Sequence, residues 1–119
     1  MKTLRKEILE YVSEQYGTVP DNPWQKYRYH QVLRHSNNKK WYGLIMRVKR
    51  PVVGLDGNDD IDIINIKCEP LAGDILIREG KAYPAYHMNK KLWITILLDG
   101  SQKIEFIEAL IDESYNLTK

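Results

Sequence analysis

The stretch from Trp24 to Arg50 carries eight basic residues, Lys26, Arg28, Arg34, Lys39, Lys40, Arg47, Lys49 and Arg50, and no Asp or Glu. Tyr27, Tyr29, Trp41 and Tyr42 are interleaved with them. Lysine and arginine neutralise phosphates, and aromatic rings pack on sugars or stack on bases, so these residue types suit a grip on a nucleic-acid backbone. The bland reading of the same stretch is a solvated hairpin whose charges keep the chain soluble. The remaining ten basic residues stand against all 16 acidic ones. A net charge of only +2 therefore hides a basic side and an acidic side, and such a field biases the choice of partner. The overall pI of 8.6 falls short of the value above about 9 that marks a strong nucleic-acid footprint.

Other chemistry is sparse. His35, His87 and Cys68 could be imagined as metal ligands, but no two lie at the close spacing that metal sites use. His87 is expected to be structural, hydrogen-bonded within the domain, with no metal. Cys68 follows a run of isoleucines and reads as a small buried apolar residue. There is no phosphate-cradling glycine loop, no nucleophile elbow and no carboxylate pair in an apolar setting. Asp59 and Asp60 sit in a polar loop. A site built on His35 and Asn38, or on His87 and Asn89, is the remaining catalytic option. The expectation is no enzyme and no cofactor.

These residues need elements to hold them. Leu4, Ile8 and Val12 recur every fourth residue, widened by Leu9 and Tyr16, so Thr3–Tyr16 reads as a helix that Gly17 ends. Tyr29–His35 and the aromatic, branched run Trp41–Val48 read as a hairpin about Ser36–Asn38. Ile61–Lys67 reads as a third strand. Pro70 opens a second helix that Gly80 closes. A short strand near Ala85–Met88 precedes a clear one at Leu92–Leu98. Ser101 is placed to cap a last helix, lined by Ile104, Ile107 and Ile111. The order α-β-β-β-α-β-β-α predicts an α+β fold, an antiparallel sheet with helices on one face.

Strand alternation then assigns faces. Tyr42, Leu44 and Met46, with Ile94 and Ile96, are expected beneath Leu4, Ile8, Val12, Ile107 and Ile111. Trp41, Arg47 and Trp93 fall on the open face, as a stacking platform or as edge packing. The length of 119 residues suits one domain, taken as 1–119. One cysteine makes no internal disulfide, Met1–Arg5 has no apolar signal core, and no run approaches the roughly 20 apolar residues of a membrane span, so a cytoplasmic location is expected.

Three segments are unusual in composition: Arg34-His35-Ser36-Asn37-Asn38-Lys39-Lys40-Trp41, then Lys67-Cys68-Glu69-Pro70, then Pro84-Ala85-Tyr86-His87-Met88-Asn89-Lys90-Lys91 followed by Trp93-Ile94 and Leu98-Asp99-Gly100. With Ser114-Tyr115-Asn116-Leu117 at the end, they resemble the MmcQ/YjbR family of small bacterial proteins, from about Trp24 to Leu117. The family often has Phe at Leu33, Phe-Ala at Tyr42-Gly43, Asp at Glu69 and His at Leu92; none of these departures removes a group the resemblance singles out. The resemblance implies a two-layer α+β fold similar to a double-wing DNA-binding motif, and also similar to secretion chaperones. The latter would dimerise and show an apolar patch rather than a basic one.

The combined expectation is a DNA-binding module working mainly through backbone electrostatics. Arg34, Lys39, Lys40 and Arg47 would contact phosphates, Trp41 and Trp93 would pack, and Asn89, Lys90 and Lys91 would add a second contact. The alternative is a protein-interaction module. Neither reading involves a membrane.

Overall fold

Thr3 accepts a hydrogen bond from the Lys6 backbone N–H and so caps the first helix, α1 (Leu4–Tyr16), in a computed structural model that describes residues 3–24 and 26–119. Gly17 closes α1 in the left-handed conformation, at φ 67°. The hairpin follows as β1 (Gln31–Arg34) and β2 (Trp41–Lys49), then a single 3-10 turn over Arg50–Val53, and β3 (Asp60–Lys67). Next come α2 (Pro70–Arg78), β4 (Tyr83–Pro84), β5 (Trp93–Leu97) and α3 (Ile104–Leu117). The five strands form one antiparallel sheet in the order β1-β2-β3-β5-β4.

All three helices pack on one face. Ile8, Val12, Ile107 and Ile111 are fully buried there with Ile45, Ile64, Ile66, Ile94 and Ile96. At Gly73 α2 comes so near the sheet that an added Cβ would lie 3.1 Å from Ile94 Cγ2.

The expected faces of β2 are corrected by one residue. Leu33 pairs with Gly43 but Arg34 pairs with Trp41, so Tyr42 is the extra residue of a β-bulge. Beyond it the alternation slips, and a one-residue slip exchanges the two faces. Tyr42 keeps its place under the helices, but Leu44 and Met46 do not. They join Val32, Val48, Ile61, Ile63 and Leu97 in a second core on the other face, against Trp24, Trp41, Tyr86 and Met88. Arg47 moves the opposite way, from the expected open face to the helix side, where it meets Asp62.

Two local readings are also corrected. The fourth strand is Tyr83–Pro84, not Ala85–Met88, because His87 adopts a left-handed φ of 62° that ends extended structure. The N-cap of α3 is Lys103, not Ser101; the Ser101 N–H instead donates to Asp99 Oδ1 at 2.9 Å.

Both sheet edges are obstructed. Asp21 exchanges backbone hydrogen bonds with Val32 along the outer side of β1, at 3.0 and 2.7 Å. At the other edge, β4 is two residues long and one of them is Pro84, which has no N–H.

Candidate functional site

The expected phosphate contacts separate into two groups. Lys67 pairs with Trp93, and Gly43 with Ile66, so the start of β2, the end of β3 and the start of β5 share one end of the sheet. The β1–β2 turn with Lys39 and Lys40 projects from that end, as does the Asn89–Lys91 turn that leads into β5. Lys39, Lys40, Lys90 and Lys91 are exposed, and none is ion-paired among the described residues. Trp41 and Trp93 are both half-buried beside them. Trp93 alternates with Ile94, so it lies on the open face, as does Trp41.

Arg34, Arg47 and Asn89 are otherwise engaged. Arg34 Nε donates to Asp21 Oδ2 at 3.1 Å, and its guanidinium lies 5.3 Å from the Trp41 ring centroid. Asn89 Oδ1 accepts the Lys91 N–H at 2.9 Å and so shapes its own turn. Arg47 sits near the far end of β2, where Nε reaches Asp62 Oδ1 at 2.9 Å. Arg5 grips the same carboxylate with Nε at 3.1 Å and a terminal nitrogen at 2.9 Å. Burial alone would raise the pKa of Asp62, but the two guanidinium groups outweigh it and hold the carboxyl below its usual range.

The second core on the open face surrounds a feature that sequence reasoning missed, a cavity of about 510 Å³. Leu44, Met46 and Val48 form its floor, with Trp24, Trp41, Tyr86 and Met88 beside them. Trp24 and Trp41 pack edge to face, their ring centroids 5.9 Å apart. Tyr27, His30, Arg47, Lys49, Val52 and His87 complete the lining, which includes no Asp or Glu. Tyr27 stacks on His30 at 4.9 Å and 8°. Burial lowers the pKa of His30, so its ring is neutral near neutral pH. The aromatic content of Trp24–Trp41 was the available signal; without the bulge, Leu44 and Met46 are assigned to the wrong face and no floor is visible.

His87 differs from its expectation. Its side chain is exposed and leans on the Tyr86 ring at 4.0 Å, rather than being held by a buried hydrogen bond. The buried, hydrogen-bonded histidine is His35, whose Nε2 lies 2.8 Å from Thr118 Oγ1. Cys68 is buried as expected, and burial pushes its thiol pKa up. Among the described residues there is no group of three or more His, Cys, Asp or Glu side chains that could hold a metal ion. None of their helices is long and apolar enough to cross a membrane.

The model of the YjbR family matches residues 13–117. The chain belongs to the YjbR family. Among its YjbR relatives is YyaQ of Bacillus subtilis, 48% identical over 115 residues, covering 97% of this chain and 98% of that protein. A crystal structure of a Pseudomonas syringae protein is 39% identical, covers 100% of both chains and superposes with a TM-score of 0.94. A Deinococcus radiodurans protein shares the fold at a TM-score of 0.71 and 23% identity, over 98% of this chain and 78% of its own. The YjbR match spans the hairpin, both turns of the basic sheet end and every strand.

Proposed function

We propose that this YjbR-family protein is a non-catalytic binding module that holds nucleic acid, DNA foremost, by its phosphate backbone at the basic end of the sheet. The observation that carries the reading is the convergence of Lys39, Lys40, Lys90 and Lys91, all exposed and none ion-paired among the described residues, on one sheet end beside Trp41 and Trp93. Unpaired ammonium groups are what counterion release requires, and phosphate contacts position a protein without reading sequence. Arg47 drops out of the contact set, because its charge is already committed to Asp62.

Titration against duplex DNA, single-stranded DNA and RNA at two salt concentrations tests this. Four engaged lysines give a slope of log affinity against log salt near −0.9 × 4, roughly −3.6. Replacing Lys39→Gly together with Lys40→Gln should bring that slope to about half, with a similar loss on every sequence. Absence of binding at low salt, or an unchanged slope in the double variant, removes the nucleic-acid reading. Protein interaction then takes its place. Leu71 and Ile75, one turn apart on α2 and 70% and 44% exposed, are the observation on which that second reading rests.

A further inference from the structure

We infer that the cavity on the open face of the sheet is a binding site for a small aromatic anion, a planar ring bearing a carboxylate or phosphate. This stands apart from phosphate gripping at the basic sheet end, because the cavity's own walls supply the recognition.

Size is the first argument. Close-packed interiors leave few voids larger than a water, whereas pockets that take small molecules measure roughly 300–1,000 Å³. At about 510 Å³ this cavity belongs with the second kind.

Shape and polarity give the ring. The floor is aliphatic, from Leu44, Met46 and Val48, and the walls present Trp24, Trp41 and Tyr86. Aromatic edges and faces, together with the soft thioethers of Met46 and Met88, favour a flat polarizable ligand over a branched aliphatic one.

Charge at the mouth gives the anion. No carboxylate lines it, and Arg47 and Lys49 border it through their backbone, since their side chains lie on the helix side with Asp62 and Asp60. The positive charge comes from Lys26 and Arg28, exposed on the loop whose Tyr27 and His30 form part of the wall, with the Lys26 ammonium 5.8 Å from the Tyr27 ring centroid and the Arg28 guanidinium 5.1 Å from that of Tyr29.

His87 is the remaining sign. It lines the cavity with a left-handed backbone that glycine would adopt at lower cost, while its ring is exposed on the rim. A strained backbone that presents an imidazole to an opening is accounted for by a ligand that meets the ring.

The test is ¹H–¹⁵N correlation spectroscopy of the full chain with 2-naphthoate as probe. Its comparators are 2-naphthylmethylammonium, which has the same ring and the opposite charge, and cyclohexanecarboxylate, an anion without an aromatic ring. Saturable shifts are expected at the amides of Leu44, Met46, His87 and Met88 and at the indole N–H of Trp24 and Trp41. Both comparators should bind at least tenfold more weakly. Met46→Trp should fill the cavity and abolish the shifts. Should that variant fail to fold, His87→Asn keeps a residue tolerant of the left-handed backbone and should weaken 2-naphthoate at least threefold, as should Lys26→Gln. Equal binding of the ammonium compound, shifts confined to residues outside the cavity, or undiminished affinity in both His87→Asn and Lys26→Gln would each overturn the inference. Thymidine monophosphate and a short oligothymidylate identify the source of the ring: displacement of bound 2-naphthoate by either marks a nucleotide, and no displacement marks a free aromatic acid. The Lys39→Gly, Lys40→Gln variant should bind 2-naphthoate as the wild type does, whatever the fate of its nucleic-acid affinity.

Discussion

The imidazole of His35, just past β1, lies 2.8 Å from the hydroxyl of Thr118, just past α3, and ties the hairpin to the far end of the chain. The same Thr118 hydroxyl bonds the Ser114 carbonyl at 2.8 Å and so joins the imidazole to the last turn of α3. Burial lowers the His35 pKa below the ordinary 6.5, so the folded protein resists a proton that the unfolded chain accepts. Stability contributed by neutral His35 is therefore complete above pH 6.5 and is lost as pH falls through the depressed folded value. Thermal melts between pH 7.5 and 5 should show this decline, and His35→Gln should flatten it. Thr118→Val, which removes the bond at constant shape, should cost about 1 kcal/mol.

A second prediction concerns Asp62, whose side chain is 14% exposed between Arg5 at 11% and Arg47 at 35%. Asp62→Ala strands two guanidinium groups in a partly buried place and should cost about 3 kcal/mol, read from denaturant midpoints. Because its folded pKa lies below the ordinary 3.8, its contribution is present above that value and disappears as pH falls through the folded pKa. Arg47→Met should cost less than Asp62→Ala, since Arg5 still holds the carboxylate. The opposite order would contradict the shared-carboxylate arrangement.

The helices α1 and α3 are locked by Asp112, which accepts hydrogen bonds from the hydroxyls of Tyr11 and Tyr16. Burial and the Asp112 carboxylate push the Tyr11 pKa up to about 12. Burial also raises Tyr42 to about 12. A folded pKa above the unfolded value of 10.0 keeps its stabilisation below pH 10 and loses it as pH rises through the folded value. Absorbance titration near 295 nm should resolve tyrosines that ionise late, and Asp112→Asn should bring Tyr11 down. An unchanged late phase in that variant would show that burial alone sets it.

Lys39 holds a left-handed φ of 63° at the hairpin turn. Lys39→Gly relieves that strain while loosening the unfolded chain, so stability should move by no more than about 0.5 kcal/mol. Lys39→Val, β-branched in the same conformation, should cost about 1–2 kcal/mol. Urea melts of the two variants check both values, and the contrast validates Lys39→Gly as a pure charge probe.

Much of this molecule is written in its periodicity. Leu4, Ile8 and Val12 fix α1, the isoleucine run fixes β3, and element order alone leads to helices on one side of an antiparallel sheet. The failures trace to single residues. Tyr42 is an ordinary strand former by type, and nothing local marks it as the bulged residue; the shift arises from pairing with β1, a tertiary event. That one displacement moved Arg47 out of the expected contact set and hid the cavity floor. His87 was unreadable for a similar reason, since histidine gives no warning of a left-handed backbone. The four lysines were legible as exposed charges, but their meeting at one sheet end depends on the register of β3 with β5.

The obstructed edges bear on how the protein behaves at high concentration. With Asp21 occupying the outer hydrogen-bonding groups of Val32, and Pro84 offering no donor on β4, a second chain finds no continuous ladder to extend. Fibrillar growth by strand addition is thereby disfavoured at both ends of the sheet, as is the docking of an extended peptide along either edge.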